Sequence, residues 1–218
     1  MNTKLKTLIS NFISPLNCAL CGRPLKTGIF CDECGAAVSK STLDSKFYRN
    51  DCFAYFIYTD RVAKFINDFK ERRKLSYADD FAKLLAPHLK KTARRLGPSF
   101  IVPVPESAEI GAKLEIPTTE LLCEALSKQL GIRYSGKLLK KIRKTKKQKD
   151  LNARDRSKNL SDAFAVPKRY QNRVRRKTVF LVDDVSTTGA TLAECKTALY
   201  TAGAANVFCI TVAKTRKF

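Results

Sequence analysis

The segment 179–204, VFLVDDVSTTGATLAECKTALYTAGA, constrains the fold of this chain more than any other. Val179 to Val182 form a short apolar run rich in β-branched residues, which predicts a central parallel strand. This strand ends on two adjacent carboxylates, Asp183 and Asp184, and a helical pattern begins at Ala190. A strand, a small turn and a helix in this order predict one unit of a parallel α/β sheet.

The turn between this strand and helix is composed like a site for a sugar phosphate. Ligands of open α/β sheets bind beyond the carboxyl ends of the strands, where a helix start presents free backbone N–H groups to an anion. The two acids would accept hydrogen bonds from vicinal ribose hydroxyls. Alternatively, Thr187 or Thr188 only caps the helix and the acids are solvated. The predicted binding residues are Asp183, Asp184, Ser186, Thr187, Thr188, Gly189, Ala190 and Thr191.

Four of the eight cysteines form two C-x2-C pairs, CALC and CDEC, separated by nine residues. Each pair predicts a tight knuckle, with Gly22 and Gly35 directly after the pairs to relieve the turns. Two knuckles supply four thiolates to one tetrahedral Zn²⁺, and the short spacing suits a minimal ribbon made of one hairpin. A redox pair is the alternative. The predicted ligands of a structural zinc are Cys18, Cys21, Cys31 and Cys34.

Strands and helices alternate along the rest of the chain, and this alternation predicts a parallel sheet covered by helices on both faces. Apolar residues recur at helical spacing in three segments, and Thr118 or Thr119 is the predicted cap of the third helix. The predicted elements are strands at 52–58 and 100–105 and helices around 62–69, 81–89 and 119–130.

The N-terminal residues and the lack of long apolar runs bear on location. Leu5, Leu8, Ile9, Phe12 and Ile13 lie at helical spacing, which predicts a short docking helix. No apolar run approaches the roughly 18 residues that a membrane span needs, so we expect a soluble, cytoplasmic protein.

Because the chain has a single histidine, it cannot build a Ser–His or Cys–His catalytic pair together with a separate metal histidine.

The charge of the chain is strongly one-sided, with 42 Lys and Arg against 20 Asp and Glu, a formal net charge of +22. Such an imbalance indicates a polyanionic partner, with nucleic acid, phosphorylated metabolites and anionic membrane as candidates. Residues 137–158 are half Lys and Arg, and a second basic run occupies residues 168–177. The first run predicts either a solvated charged segment or a flap that closes on phosphates. The predicted flap residues are Arg143, Lys144, Lys146, Lys147, Gln148, Arg154 and Arg156.

These motifs together resemble a known family. The segment Asp183 to Thr191 is similar to the ribose-phosphate (PRPP) signature of type I phosphoribosyltransferases, and the whole chain resembles the ComF family of competence-associated proteins. The shared features are an apolar N-terminal helix, the paired C-x2-C module, a P-V-P strand end and the ribose-phosphate motif. The family stretch R-x-T-x2-Q-x2-L-x4-R-x2-N-x3-A-F is present as Arg143, Thr145, Gln148, Leu151, Arg156, Asn159, Ala163 and Phe164.

The resemblance implies a type I phosphoribosyltransferase-like parallel sheet with helices on both faces, preceded by a small zinc ribbon. It places the helix and ribbon in residues 1–45 and the transferase-like domain in residues 46–218. It implies PRPP or ribose 5-phosphate as ligand, with Mg²⁺ accompanying PRPP. It also implies a role in handling single-stranded DNA during natural transformation, with DNA-uptake or helicase proteins as partners. An active phosphoribosyltransferase of nucleotide metabolism and a PRPP-sensing regulator are the alternatives.

The loop after P-V-P, from Glu106 to Thr118, departs from the family pattern. The family has a histidine and a basic R-G-F-N-Q stretch there, whereas this chain has ESAEIGAKLEIPTTELL, with Pro117 and Thr118 at the expected Asn-Gln positions. In transferases of this fold the loop helps to hold pyrophosphate. The departure leaves the 5-phosphate motif intact, and whether the protein turns over any substrate is left open.

Overall fold

The fold is built on one mixed sheet with helices on both faces. The computed structural model describes residues 16–40, 42, 47–49, 51–72, 75–106, 116–143 and 162–215. The predicted N-terminal helix and the flap residues from Lys144 to Arg156 lie outside these ranges. The strands are β1 (Leu16–Asn17), β2 (Pro24–Leu25), β3 (Phe47–Arg49), β4 (Cys52–Ile57), β5 (Phe100–Pro103), β6 (Lys140–Lys141), β7 (Phe164–Ala165), β8 (Thr178–Ser186) and β9 (Asn206–Lys214).

Six helices are described, and the three predicted from apolar periodicity are among them. They are α1 (Asp32–Ser39), α2 (Asp60–Arg72), α3 (Leu75–Leu96), α4 (Thr118–Leu130), α5 (Lys168–Val174) and α6 (Ala190–Thr201). The predicted threonine cap of α4 is wrong, because Pro117 precedes the helix and both Thr118 and Thr119 are buried within its first turn. Gly131 ends α4 in the left-handed conformation, at φ 68°.

The five-stranded sheet has the order β3-β4-β9-β8-β5. Strands β4, β9, β8 and β5 are parallel, and β3 pairs antiparallel with β4 at one edge. All four parallel strands therefore begin at one edge of the sheet and end at the other. We call these the amino edge and the carboxyl edge.

Two apolar layers cover the central sheet, which explains the continuous apolar run from Val179 to Val182 in β8. Along β8, Phe180 and Val182 pack with α2, α3 and α4, whereas Val179 and Leu181 pack with α6 and the β6–β7 pair. This alternation follows from the two-residue period of a strand. The fold prediction of a parallel sheet with helices on both faces is confirmed.

The cysteine module packs against the helices of the sheet domain. Ala19, Ile29 and Val38 belong to the same apolar core as α2 and α3, and the Phe30 and Phe65 rings meet edge to face with centroids 4.9 Å apart. The predicted domain boundary at residue 45 stays a prediction. None of the described helices combines the length and apolar character that a membrane crossing needs.

Candidate ribose-phosphate site and cysteine cluster

Strand β8 carries the predicted acids to the carboxyl edge of the sheet. The strand extends beyond Val182, where the sequence pattern placed its end, to Ser186, because it keeps pairing with β9 as far as Lys214. Asp183 and Asp184 therefore lie within the strand, with Asp183 opposite Thr211. Since side chains alternate along a strand, the two carboxylates are directed to opposite faces of the sheet.

Three predicted residues shape the turn from β8 to α6. Gly189 precedes the helix with φ 80°, a left-handed conformation that glycine adopts without strain. The backbone N–H of Ala190 donates to Oγ1 of Thr188 at 3.3 Å within the turn, but Gly189 occupies the N-cap position of α6, so neither Thr187 nor Thr188 caps the helix. The carbonyl of Thr187 accepts a hydrogen bond from the Thr215 hydroxyl at 3.0 Å. Strand β9 thus fixes the far side of the turn.

A lysine that the sequence analysis missed reaches the acidic pair. Nζ of Lys70, on α2, lies 2.5 Å from Oδ2 of Asp184, whose side chain is 13% exposed. Burial acts to lower the pKa of Lys70, but the charges of Asp184, Asp183 and Glu106 outweigh it and the pKa is raised. Lys70 is one of several cations on the polar side of α2, and no sequence signal distinguishes it from the others.

Burial and like charge act together on Asp183. Both burial and the neighbouring charge of Asp184 raise the pKa of Asp183, to about 8, although Lys70 and a hydrogen bond from the Asp184 N–H oppose the shift. Glu106, just beyond the P-V-P strand end, adds a further negative charge and accepts a 3.4 Å hydrogen bond from Thr119. The carboxyl edge therefore combines an acidic cluster with an open helix N-terminus. A phosphorylated sugar has hydroxyls that can donate to the acidic cluster and a phosphate that can accept from the helix N-terminus.

The predicted site residues thus lie on one short stretch from the last part of β8 to the first turn of α6. Of the predicted flap, the structure describes Arg143, which is exposed just after β6. Strand β6 pairs with β7, so Lys141 is held opposite Phe164 on the α6 side of the sheet.

The four predicted metal ligands lie together. The sulfur atoms of Cys18, Cys21, Cys31 and Cys34 are within 4.8 Å of one another, and the sulfurs of Cys21 and Cys31 are 3.8 Å apart. Four thiolates about 2.3 Å from a tetrahedral Zn²⁺ would have sulfur separations of about 3.8 Å, so the donor set fits this ion.

The local structure of the two cysteine pairs differs. The first forms the predicted knuckle, with Gly22 at φ 76° and its N–H bonded to the Cys18 carbonyl at 2.8 Å. The second lies at the start of α1 and not on a hairpin turn, so Gly35 is helical and the prediction of a relieved turn there is wrong. Burial acts to raise the pKa of Cys18, but hydrogen bonds led by the Cys31 and Cys21 backbone lower it to about 6, whereas burial and the neighbouring cysteines raise the pKa of Cys34 to about 12.

Known proteins resemble this chain in sequence. Residues 120–217 match the model of the phosphoribosyl transferase domain. The chain is 28% identical over 200 residues to the DNA utilization protein YhgH of Salmonella typhimurium, covering 87% of this chain and 86% of that protein. It is 27% identical over 193 residues to Competence protein F of Haemophilus influenzae, covering 81% of each. The resemblance to the ComF family is confirmed.

Solved structures also resemble this chain. The hypoxanthine phosphoribosyl transferase of Trypanosoma cruzi has a TM-score of 0.43 at 14% identity, over 64% of this chain and 65% of that one. The adenine phosphoribosyltransferase of Saccharomyces cerevisiae has a TM-score of 0.38 at 16% identity, over 72% and 70% of the two chains.

Proposed function

We propose that the protein binds PRPP or ribose 5-phosphate at the β8–α6 turn and assists the handling of single-stranded DNA during DNA uptake. The observation that carries the ligand is the arrangement of Asp183 and Asp184 directly before a glycine-led helix start, within the matched transferase domain. The names of the relatives, a DNA utilization protein and a competence protein, support the DNA role.

The division of labour within the ligand site follows from its chemistry. Asp184 and Asp183 accept hydrogen bonds from the ribose hydroxyls, while the backbone N–H groups and hydroxyls from Thr187 to Thr191 bind the 5-phosphate. Mg²⁺ would accompany PRPP, and the acidic cluster with Glu106 supplies the oxygen ligands that this ion prefers. Lys70 holds Asp184 in place and limits the repulsion between the acids.

We further propose that Cys18, Cys21, Cys31 and Cys34 hold one structural Zn²⁺. The ion would fix the first knuckle and the start of α1 to each other. The module then presents Ala19, Ile29 and Val38 to the core beneath α2 and α3.

For the DNA, we propose that the basic flap at residues 137–158 contacts the phosphate backbone. The logarithm of the affinity for single-stranded DNA should fall linearly with the logarithm of salt concentration, with a slope of about −0.7 per phosphate neutralised. Charge reversal at Lys144, Lys146 and Lys147 should flatten this slope. Affinity that ignores both salt and these substitutions would remove the flap from the DNA role.

A thermal-shift screen separates the proposed function from its alternatives. PRPP with Mg²⁺ and ribose 5-phosphate should each raise the melting temperature, because a ligand that binds only the folded state stabilises it. Release of pyrophosphate from PRPP on addition of a nucleobase would instead favour an active phosphoribosyltransferase. Because the loop from Glu106 to Thr118 departs from the family pattern, this measurement decides whether the protein turns over a substrate.

A further inference from the structure

The amino edge of the sheet, opposite the ribose-phosphate turn, carries a dense group of exposed cations. The parallel strands begin there at Cys52, Phe100, Thr178 and Asn206. Seven exposed Arg and Lys side chains lie just before β5 and β8 or beside the start of β5, and we call them the amino-edge cations. They are Arg94, Arg95, Arg133, Arg173, Arg175, Arg176 and Lys177.

Backbone hydrogen bonds bring these separate segments of the chain together. The Ser99 N–H donates to the Thr178 carbonyl at 2.9 Å, which joins the approaches to β5 and β8. The Ile101 N–H donates to the Arg133 carbonyl at 2.9 Å, and the Arg176 N–H donates to the Gly203 carbonyl at 2.8 Å. Because adjacent strands are about 4.8 Å apart, the cations occupy one continuous rim of the sheet.

This positive charge is not neutralised locally. The segments 92–99, 128–133, 168–177 and 201–206 contain no Asp or Glu. Among the described residues, the salt bridges involve none of the amino-edge cations. Asp51, just before β4, is already paired with Lys196. The described residues around these cations therefore offer a ligand a surface that is mainly positive.

Aromatic rings order part of this rim. The guanidinium of Arg173 lies 5.7 Å from the centroid of the Phe100 ring and 5.8 Å from that of the Tyr170 ring. The guanidinium of Arg169 lies 5.0 Å from the Tyr170 centroid. Planar guanidinium groups bind phosphate oxygens through two parallel hydrogen bonds and also stack on nucleobases. Ordering them before binding lowers the entropic cost of contact.

We propose that the amino edge is a second binding surface for single-stranded nucleic acid, at the opposite edge of the sheet from the ribose-phosphate turn. The proposal rests on the DNA role proposed above. It assigns contacts with DNA to the amino-edge cations and predicts that DNA and ribose 5-phosphate bind at the same time. Occupation of the carboxyl edge by a sugar phosphate leaves the amino-edge cations uncovered.

The test compares two triple variants of the full chain with unmodified protein in titrations of a labelled oligothymidylate over a range of salt concentrations. The edge variant is Arg94→Gln, Arg95→Gln and Lys177→Gln. The control is Lys26→Gln, Lys40→Gln and Arg61→Gln, three exposed cations on the cysteine module and at the start of α2. At about 0.7 per phosphate, the edge variant should lose about two units of salt slope, and the control should lose little.

The outcomes separate this inference from the proposed function. An edge variant that keeps the unmodified slope overturns the inference, as does equal loss in both variants, which would report net charge alone. If the unmodified protein does not bind the oligonucleotide, the proposed DNA role fails and the inference fails with it. Loss of DNA binding on saturation with ribose 5-phosphate at matched ionic strength would also contradict separate surfaces. Tighter binding of the amino edge to an acidic protein or to anionic vesicles than to the oligonucleotide would overturn the inference and assign the edge to that partner. Circular dichroism and melting temperature verify that both variants are folded.

Discussion

At the scale of single residues, the acidic pair on β8 has two unequal members. Asp184 is held by Lys70, whereas Asp183 is pressed toward its protonated form by burial and by the charge of Asp184. Asp184 thus has a cationic partner, whereas the environment of Asp183 favours its protonated form. A carboxyl whose pKa is raised on folding lowers the stability of the folded state progressively as the pH rises from its unfolded pKa to its folded pKa.

The raised pKa of Asp183 predicts a pH-dependent stability. Its pKa rises from about 4 in the unfolded chain to about 8 in the folded protein, so its contribution is lost as the pH increases through this window. Asp183→Asn should therefore gain stability relative to unmodified protein as the pH rises. Urea unfolding across the window measures the difference. Asp79→Asn, an exposed carboxylate on α3, is the control. A stability difference for Asp183→Asn that stays constant with pH would contradict this assignment.

Sequence was sufficient to predict the two acids and the small residues after them, because their spacing is local. Lys70 could not be predicted, since it reaches Asp184 from 114 positions earlier in the chain and only the packing of α2 brings it there. The hydrogen bond that Glu106 accepts from Thr119 could not be predicted from the sequence either. Residues that are neighbours in the sequence could be predicted as members of the candidate site. The charged groups around them depend on tertiary packing.

At the scale of elements, the cysteine module depends on what it packs against as much as on its ligands. The Lys64 side chain donates to the Leu20 carbonyl at 2.7 Å, and the Tyr77 hydroxyl donates to the Asn17 carbonyl at 3.2 Å. The C-x2-C spacing predicted the cluster. It did not predict that the second pair begins a helix, because CDECGAAVS carries no clear apolar period.

Cys31→Ser tests the metal and the packing together. The unmodified protein should contain about one zinc per chain, the variant should lose it, and apparent zinc binding in small modules is worth about 10–16 kcal/mol. Hydrogen exchange should then increase over residues 18–40 and in the part of α2 beneath them, while β8 and β9 stay protected. Cys123→Ala, a buried cysteine of α4, should keep its zinc. Absence of zinc from anaerobically prepared protein would contradict the metal site.

At the scale of the whole molecule, the parallel sheet separates the two anion sites that we propose. Its carboxyl edge ends in carboxylates and a helix start, which suit a sugar phosphate, and its amino edge begins among arginines, which suit a polyanion. The alternation of apolar segments predicted the parallel sheet itself. The grouping of Arg94, Arg133 and Arg175 follows only from strand order, which places β5 beside β8.

Calorimetric titration of ribose 5-phosphate and PRPP into unmodified protein and Asp184→Asn, at matched Mg²⁺, tests the central claim most directly. Hydrogen bonds to a charged group are worth about 1.5–3 kcal/mol, so the variant should bind both ligands roughly ten- to hundredfold more weakly. Its affinity for inorganic phosphate should not fall, because the β8–α6 turn is unchanged. No binding by the unmodified protein at millimolar ligand, or unchanged PRPP affinity in Asp184→Asn, would contradict a ribose-phosphate site at Asp183 to Thr191.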